Sequence, residues 1–305
     1  MRRTGGRLRR GRRLAALAGV LLLCAWPAAS ATADPAGGPG RPETAALYVS
    51  DYGNNRVVRL TCRGAQTTVP LDGLVRPTGL AWSATGDLYV ADTGNNRVVR
   101  LPAGGGEQTT VPAEGLSRPL GLAVAADGSL YIADSFNDRV VRIGADGSGQ
   151  TTVPTEGLLH PWGLAVAPDG SLYISDFVND RVVRVPADGS GQTTVPAEGL
   201  SQPTGLALGR AGDLFVSDSG NNRVVAVSAG GVQRTVPADD LGNPLGLAFD
   251  ARGRLHVADA FHDRVVRVDP VTGRQVTLPS DGLNTPTGLA FPPGGDCPRP
   301  GHPGH

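Results

Sequence analysis

A 305-residue chain with 28 arginines, no lysine and 28 acidic side chains is neutral overall. Setting aside the seven arginines of its first 33 residues leaves 21 basic groups against 28 acidic ones, a net charge of −7. That balance speaks against nucleic-acid or anionic-membrane binding driven by the whole-protein field. With 44 Gly, 25 Pro and only 5% aromatic residues, the composition suits many short strands joined by tight turns.

In chain order, residues 1–33 read as a secretory signal peptide. Arg2, Arg3, Arg7, Arg9, Arg10, Arg12 and Arg13 make a basic start, and Leu14 to Trp26 is an apolar run too short for a comfortable membrane span. Ala29-Ser30-Ala31 and Ala31-Thr32-Ala33 are small-residue cleavage sites. Cys24 lies inside the apolar run, and the large Leu23 before it argues against lipoprotein processing. Residues 34–44 form a linker. No later apolar stretch is long enough to span a membrane, so the mature chain is expected to be secreted.

From residue 45 one phrase recurs six times, L-Y-V-A-D-x-x-N-N-R-V-V-R. Its aspartates are Asp51, Asp92, Asp134, Asp176, Asp218 and Asp259, spaced 41 or 42 residues apart. A period near 40–45 residues with several strands per unit indicates a β-propeller. In one unit, Pro119–Val124, Leu130–Ala133, Arg139–Ile143 and Gln150–Val153 read as four strands separated by Gly, Asp and Ser turns. The predicted fold class is all-β, a six-bladed propeller of four-stranded antiparallel blades over residues 45–297, with a disordered tail at 298–305. The chain starts on a second strand and ends on a first strand, so Thr285–Phe291 is expected to pair with Ala46–Val49 and remove the open edges. Small residues such as Gly121 and Ala123 suit the crowded channel axis.

Cys62 and Cys297 remain after cleavage of the leader, and an oxidising compartment favours their pairing. They follow the third and first strands of the closing blade, about 10 Å apart, a distance that Pro292 to Cys297 can span. A disulfide that locks the ring is expected.

The pattern P-x-G-L-A followed by G-x-L-Y-V-A-D-x-x-N-N-R-V-V-R resembles the NHL-repeat family over about residues 45–291, and in particular the extracellular sensor propeller of actinobacterial receptor-type serine/threonine kinases. The resemblance implies a binding module. No kinase motif and no RING-type Cys/His spacing accompanies it, and the RNA-binding relatives use a basic face that a net acidic chain lacks. More distant relatives are enzymes, streptogramin (virginiamycin B) lyases and peptide-amidating lyases, which use His and a bound metal near the channel.

Features present in every blade read as scaffold. Each repeat aspartate precedes an arginine by five residues, in the pairs Asp51/Arg56, Asp92/Arg97, Asp134/Arg139, Asp176/Arg181, Asp218/Arg223 and Asp259/Arg264. Charge-assisted hydrogen bonds between them hold the loop, in preference to a carboxylate ring around a cation. Asn55 and Asn96 read as turn residues. Function is sought where repeats differ, on the face formed by the start of the first strand and the loop between the second and third. The residue before Pro is Arg76, Arg118, His160, Gln202, Asn243 or Thr285, and the residue after it is Thr78, Leu120, Trp162, Thr204, Leu245 or Thr287. The loop adds Tyr52, Phe136, Phe177 and Phe261. The proposed ligand-binding face is Arg76, Arg118, Phe136, His160, Trp162, Phe177, Gln202, Asn243 and Phe261, centred on Trp162 and Arg118.

His256 replaces a tyrosine of the second strand and reads as a core or inter-blade residue. His160 and His262 share the candidate face on non-adjacent blades, and His302 and His305 lie in the tail. Three convergent metal ligands are not evident. Neither metal, cofactor nor catalytic residue is assigned, and a monomer that binds an unknown protein or small-molecule ligand at the cell envelope is expected. The alternative is a metal-dependent lyase or lactonase-like enzyme.

Overall fold

Each repeat alternates apolar and polar residues along strands too short to bury a core alone, so the units are stable only when stacked. The computed structural model describes residues 46–61 and 65–294. Within them the chain forms a six-bladed β-propeller, six sheets of four antiparallel strands. Blades one to six are numbered from their inner strands, Pro77–Trp82, Pro119–Val124, Pro161–Val166, Pro203–Leu208, Pro244–Phe249 and Pro286–Ala290. Cys62 and Cys297, the linker and the leader lie outside the described residues.

Blade two shows the common plan. Its strands are Pro119–Val124, Leu130–Asp134, Arg139–Ile143 and Thr151–Thr152. The fourth strand is shorter than the pattern predicts because Gln150 is used as a clamp. Its Oε1 accepts the Glu114 N–H at 2.7 Å and its Nε2 donates to the Glu114 carbonyl at 3.0 Å. Gln66, Gln108, Gln192, Gln233 and Gln275 do the same with Asp281, Asp72, Glu156, Glu198 and Asp239.

Blade six is built from both ends of the propeller. Its inner strand pairs antiparallel with Ala46–Asp51, Tyr48 opposite Ala290 and Val49 opposite Leu289. This closure gives the inner strand a paired edge, as expected.

The cores lie between blades. Six apolar clusters each join facing sides of two neighbours. The outward aromatic of a second strand meets the end of the next inner strand. Tyr48 packs edge-on against Trp82, Phe215 against Phe249 and His256 against Phe291, with ring centres 4.8, 4.8 and 4.9 Å apart. His256 is fully buried. That burial, opposed by the nearby Asp250 carboxylate and reinforced by Arg267 and Arg254, lowers its pKa to about 4.

At the axis, six glycines set the diameter. A Cβ on Gly79, Gly121, Gly163, Gly205, Gly246 or Gly288 would collide with the carbonyl of Leu120, Trp162, Thr204, Leu245, Thr287 or Thr78 in the next blade. The ring closes because Gly288 of blade six meets Thr78 of blade one. The channel that remains has a volume of only about 70 Å³ and is walled by glycine and leucine.

Candidate functional site

The loop between the second and third strands is a single turn whose carboxylate organises three segments. Asp51, Asp92, Asp134, Asp176, Asp218 and Asp259 are all fully buried. In each, Oδ2 accepts from the Nε of the arginine five residues on, at 2.6 or 2.7 Å. It also accepts from the side chain three residues on, Asn54, Asn95, Asn137, Asn179 or Asn221. In blade five that position is His262, whose Nδ1 lies 2.9 Å from Asp259. Oδ1 accepts a backbone N–H just ahead of the same blade's inner strand, from Asn284, Val75, Ser117, Leu159, Ser201 or Gly242. Every carboxylate is thus committed to the loop on both oxygens.

A second staple joins neighbouring blades. The loop ends on a left-handed residue, Asn55, Asn96, Asp138, Asp180, Asn222 or Asp263. Its side-chain oxygen accepts the N–H of the residue before the next blade's proline, at 2.7 or 2.8 Å. Those acceptor-bound residues, Arg76, Arg118, His160, Gln202, Asn243 and Thr285, all have φ between 48° and 53°. Even the β-branched Thr285 is held in this unfavourable region. The backbone is fixed there whatever the side chain, so the side chain is free to differ. Sequence reasoning treated these asparagines as turn residues and missed the staple. The signal was an Asn or Asp at a constant offset from each repeat aspartate.

Of the proposed face, the structure brings five residues together over blades two and three. Arg118 places its guanidinium 4.6 Å from the centre of the Phe136 ring. The His160 ring stacks on Phe136 at 4.9 Å and 14°. In blade three, Trp162 lies against Phe177 with centres 5.1 Å apart and contributes to the channel wall. Phe136 is 49% exposed, and Leu159 and Val178 beside it are exposed too. Arg76 lies over Tyr52 at 5.9 Å, where blade six meets blade one. Gln202, Asn243 and Phe261 occupy the matching positions of blades four and five but make no ring contact with this group; Phe261 is 73% exposed.

Two expectations need correction. Thr78, Thr204 and Thr287 vary with the face yet are buried, and each bonds a backbone carbonyl of the next blade, of Leu120, Pro244 and Pro77. They are inter-blade ties, because the residue after proline points along the seam. His262 substitutes for the loop asparagine and is held by Asp259. The loop aromatics also divide in two. Tyr52 and Phe177 take the first turn position, at the mouth; Phe136 and Phe261 take the second, on the outer rim.

A metal at the mouth would need convergent donors. Among the described residues no three His, Cys, Asp or Glu side chains come together, and the six central carboxylates are bonded to scaffold. The residues present do not fit a metal centre built from three protein ligands. No described helix is long and apolar enough to cross a membrane.

The sequence profile of the virginiamycin B lyase family matches residues 28–296. No curated protein matches the chain. Among solved structures, a chain of a nidogen/laminin complex superimposes with a TM-score of 0.72 at 21% identity, over 80% of this chain and 97% of that one. A streptogramin B lyase gives 0.64 at 18% identity, over 82% and 85%. A catalytically inactive histidine-to-alanine variant of virginiamycin B lyase from Staphylococcus aureus, solved with quinupristin, gives 0.61 at 18% identity, over 79% and 83%. At these identities the likeness concerns the fold.

Proposed function

The chain belongs to the virginiamycin B lyase family, and within it we propose a non-catalytic binding propeller that recognises a protein or small ligand at the cell envelope. The observation that carries this reading is the division on the channel face. All six buried carboxylates are bonded to scaffold, while Arg118, Phe136, His160, Trp162 and Phe177 form an accessible arc. Aromatic rings with a cation beside them, on a rigid rim, suit recognition. A relative solved in a nidogen/laminin complex adds support for a protein partner. The leader of residues 1–33 supports export, and export supports a Cys62–Cys297 bridge; the secreted chain should show no free thiol before reduction.

The test is capture from the envelope fraction by immobilised mature chain, compared with a Trp162→Ala/Phe177→Ala double variant. A component retained by the first and lost by the second supports the reading. Equal retention by both sinks this site.

A second reading, a lyase, is favoured by the family and by His160, the one described face histidine not bonded to a carboxylate through its ring. A lyase removes a C–H proton to a base while a C–O bond breaks and a C=C bond forms, and one well-placed imidazole can serve. Quinupristin incubated with the chain should be recovered unchanged by chromatography. A ring-opened product that disappears in His160→Ala would replace the binding reading with this one.

A further inference from the structure

Arg76 and Arg118 differ from the other arginines of the channel face. Arg56, Arg97, Arg139, Arg181, Arg223 and Arg264 are each paired to a buried aspartate. Arg76 and Arg118 are exposed, and among the described residues neither has a carboxylate within ion-pair distance. Each instead lies over an aromatic ring, Tyr52 or Phe136. A stacked guanidinium uses its face for the ring and keeps its in-plane N–H donors available for an oxyanion.

The scaffold holds both in register and leaves both unneutralised. Their N–H groups are bonded to Asn55 and Asn96 at 2.8 Å, and their φ values are 51° and 48°. Three of the six stapling residues are aspartates, Asp138, Asp180 and Asp263. These lie under His160, Gln202 and Thr285. At both junctions that present arginine the stapling residue is the neutral asparagine. The two blades are adjacent, with the backbone of Gly79 against the Leu120 carbonyl. The loop of blade one between them carries Gly94 at the position that Phe136 fills in blade two, so no large side chain stands there.

We infer that Arg76 and Arg118 form a paired oxyanion subsite on the channel face, for a ligand that carries carboxylate or phosphate oxygens beside an apolar part seated near Trp162 and Phe177. The inference rests on the reading of this face as the ligand face. It adds a ligand class, an anionic amphiphile, to a protein whose net charge is itself negative, so recognition depends on these local cations rather than on the global field.

The test is titration of the mature chain at low ionic strength with inorganic phosphate and, separately, with benzoate, following arginine Nε–H resonances. The signals lost in Arg76→Gln and Arg118→Gln identify the two groups. Their shifts should saturate at concentrations about tenfold below those affecting Arg210 and Arg274, exposed on the opposite face. An Arg76→Gln/Arg118→Gln double variant should abolish saturation without altering the melting temperature. Saturation by phosphate alone assigns a phosphoryl ligand; saturation by benzoate assigns a carboxylate. Shifts of the same size and midpoint at all exposed arginines would mean adventitious anion association only and overturn the subsite. In envelope capture, a partner lost by Trp162→Ala/Phe177→Ala but kept by the arginine double variant would also overturn it, while leaving the face reading intact.

Discussion

One short loop, repeated six times, contains two regions that behave in opposite ways. Its flanks are the same in every blade: a buried aspartate, an arginine bonded to it at 2.6 or 2.7 Å, and a side chain three residues on that shares the carboxylate. Its first two turn residues differ freely, Tyr52-Gly53, Thr93-Gly94, Ser135-Phe136, Phe177-Val178, Ser219-Gly220 and Ala260-Phe261. Each blade is both donor and acceptor of the contacts that close the ring, so groups that close it must be the same in each. Groups that face solvent at the mouth carry no such constraint and can serve a ligand. The contrast predicts large stability effects and no specific binding effect on one side, and the reverse on the other.

The strongest challenge to the scaffold side is at the axis. Gly205→Val places a Cβ into the Leu245 carbonyl, which is backbone and cannot turn aside. The cost should exceed the usual ~1–3 kcal/mol of core overpacking, and little soluble protein should be recovered. Recovery of a variant with a wild-type melting temperature would show that the ring is not closed by these glycines.

Next is Asp134→Ala. It strips partners from Arg139, Asn137 and the Ser117 N–H at once. Breaking a buried pair from one side costs about 3–5 kcal/mol, measurable by urea denaturation. A loss below about 1 kcal/mol would place the pair among ordinary surface salt bridges.

His256 sharpens the comparison because it is a change within the scaffold. Its folded pKa of about 4 lies below the model value of 6.5, so the unfolded chain binds the proton more tightly. The contribution of neutral His256 is therefore complete above pH 6.5. It is lost as pH falls toward 4, by about 3 kcal/mol at the end of that window. His256→Phe, which installs the residue of blade four, should flatten the stability profile between pH 6.5 and 4. Parallel profiles for the two proteins would refute the assignment.

The smallest effects on stability belong to the rim. Phe136→Ala and Arg118→Gln should each change unfolding free energy by no more than about 0.5–1 kcal/mol, while reducing retention of the envelope partner. A large stability loss from either would move these residues to the scaffold side.

Much of this organisation was legible in the chain. The 41- or 42-residue interval fixes six units, and alternation within L-Y-V-A-D and R-V-V-R marks their second and third strands. The offset of five between Asp and Arg, whose partners meet across one hairpin, already implied a local bond. What escaped was everything between blades. Asn96 bonds Arg118, Phe136 stacks on His160, and Thr78 reaches Leu120, all across separations with no local periodicity. The left-handed backbone before each proline was likewise hidden, since Arg, His, Gln, Asn and Thr share no propensity for it.

By itself, then, the sequence determined the number of blades, the strands within them, the closing strand exchange and the buried Asp–Arg pairs. These follow from short-range geometry copied six times. Only the tertiary structure decided which variable residues meet at the mouth and which are sealed into the seam. Ring closure sets the angle and spacing between neighbouring blades, and through them whether a residue beside a proline becomes an inter-blade tie like Thr204 or an accessible contact like Trp162.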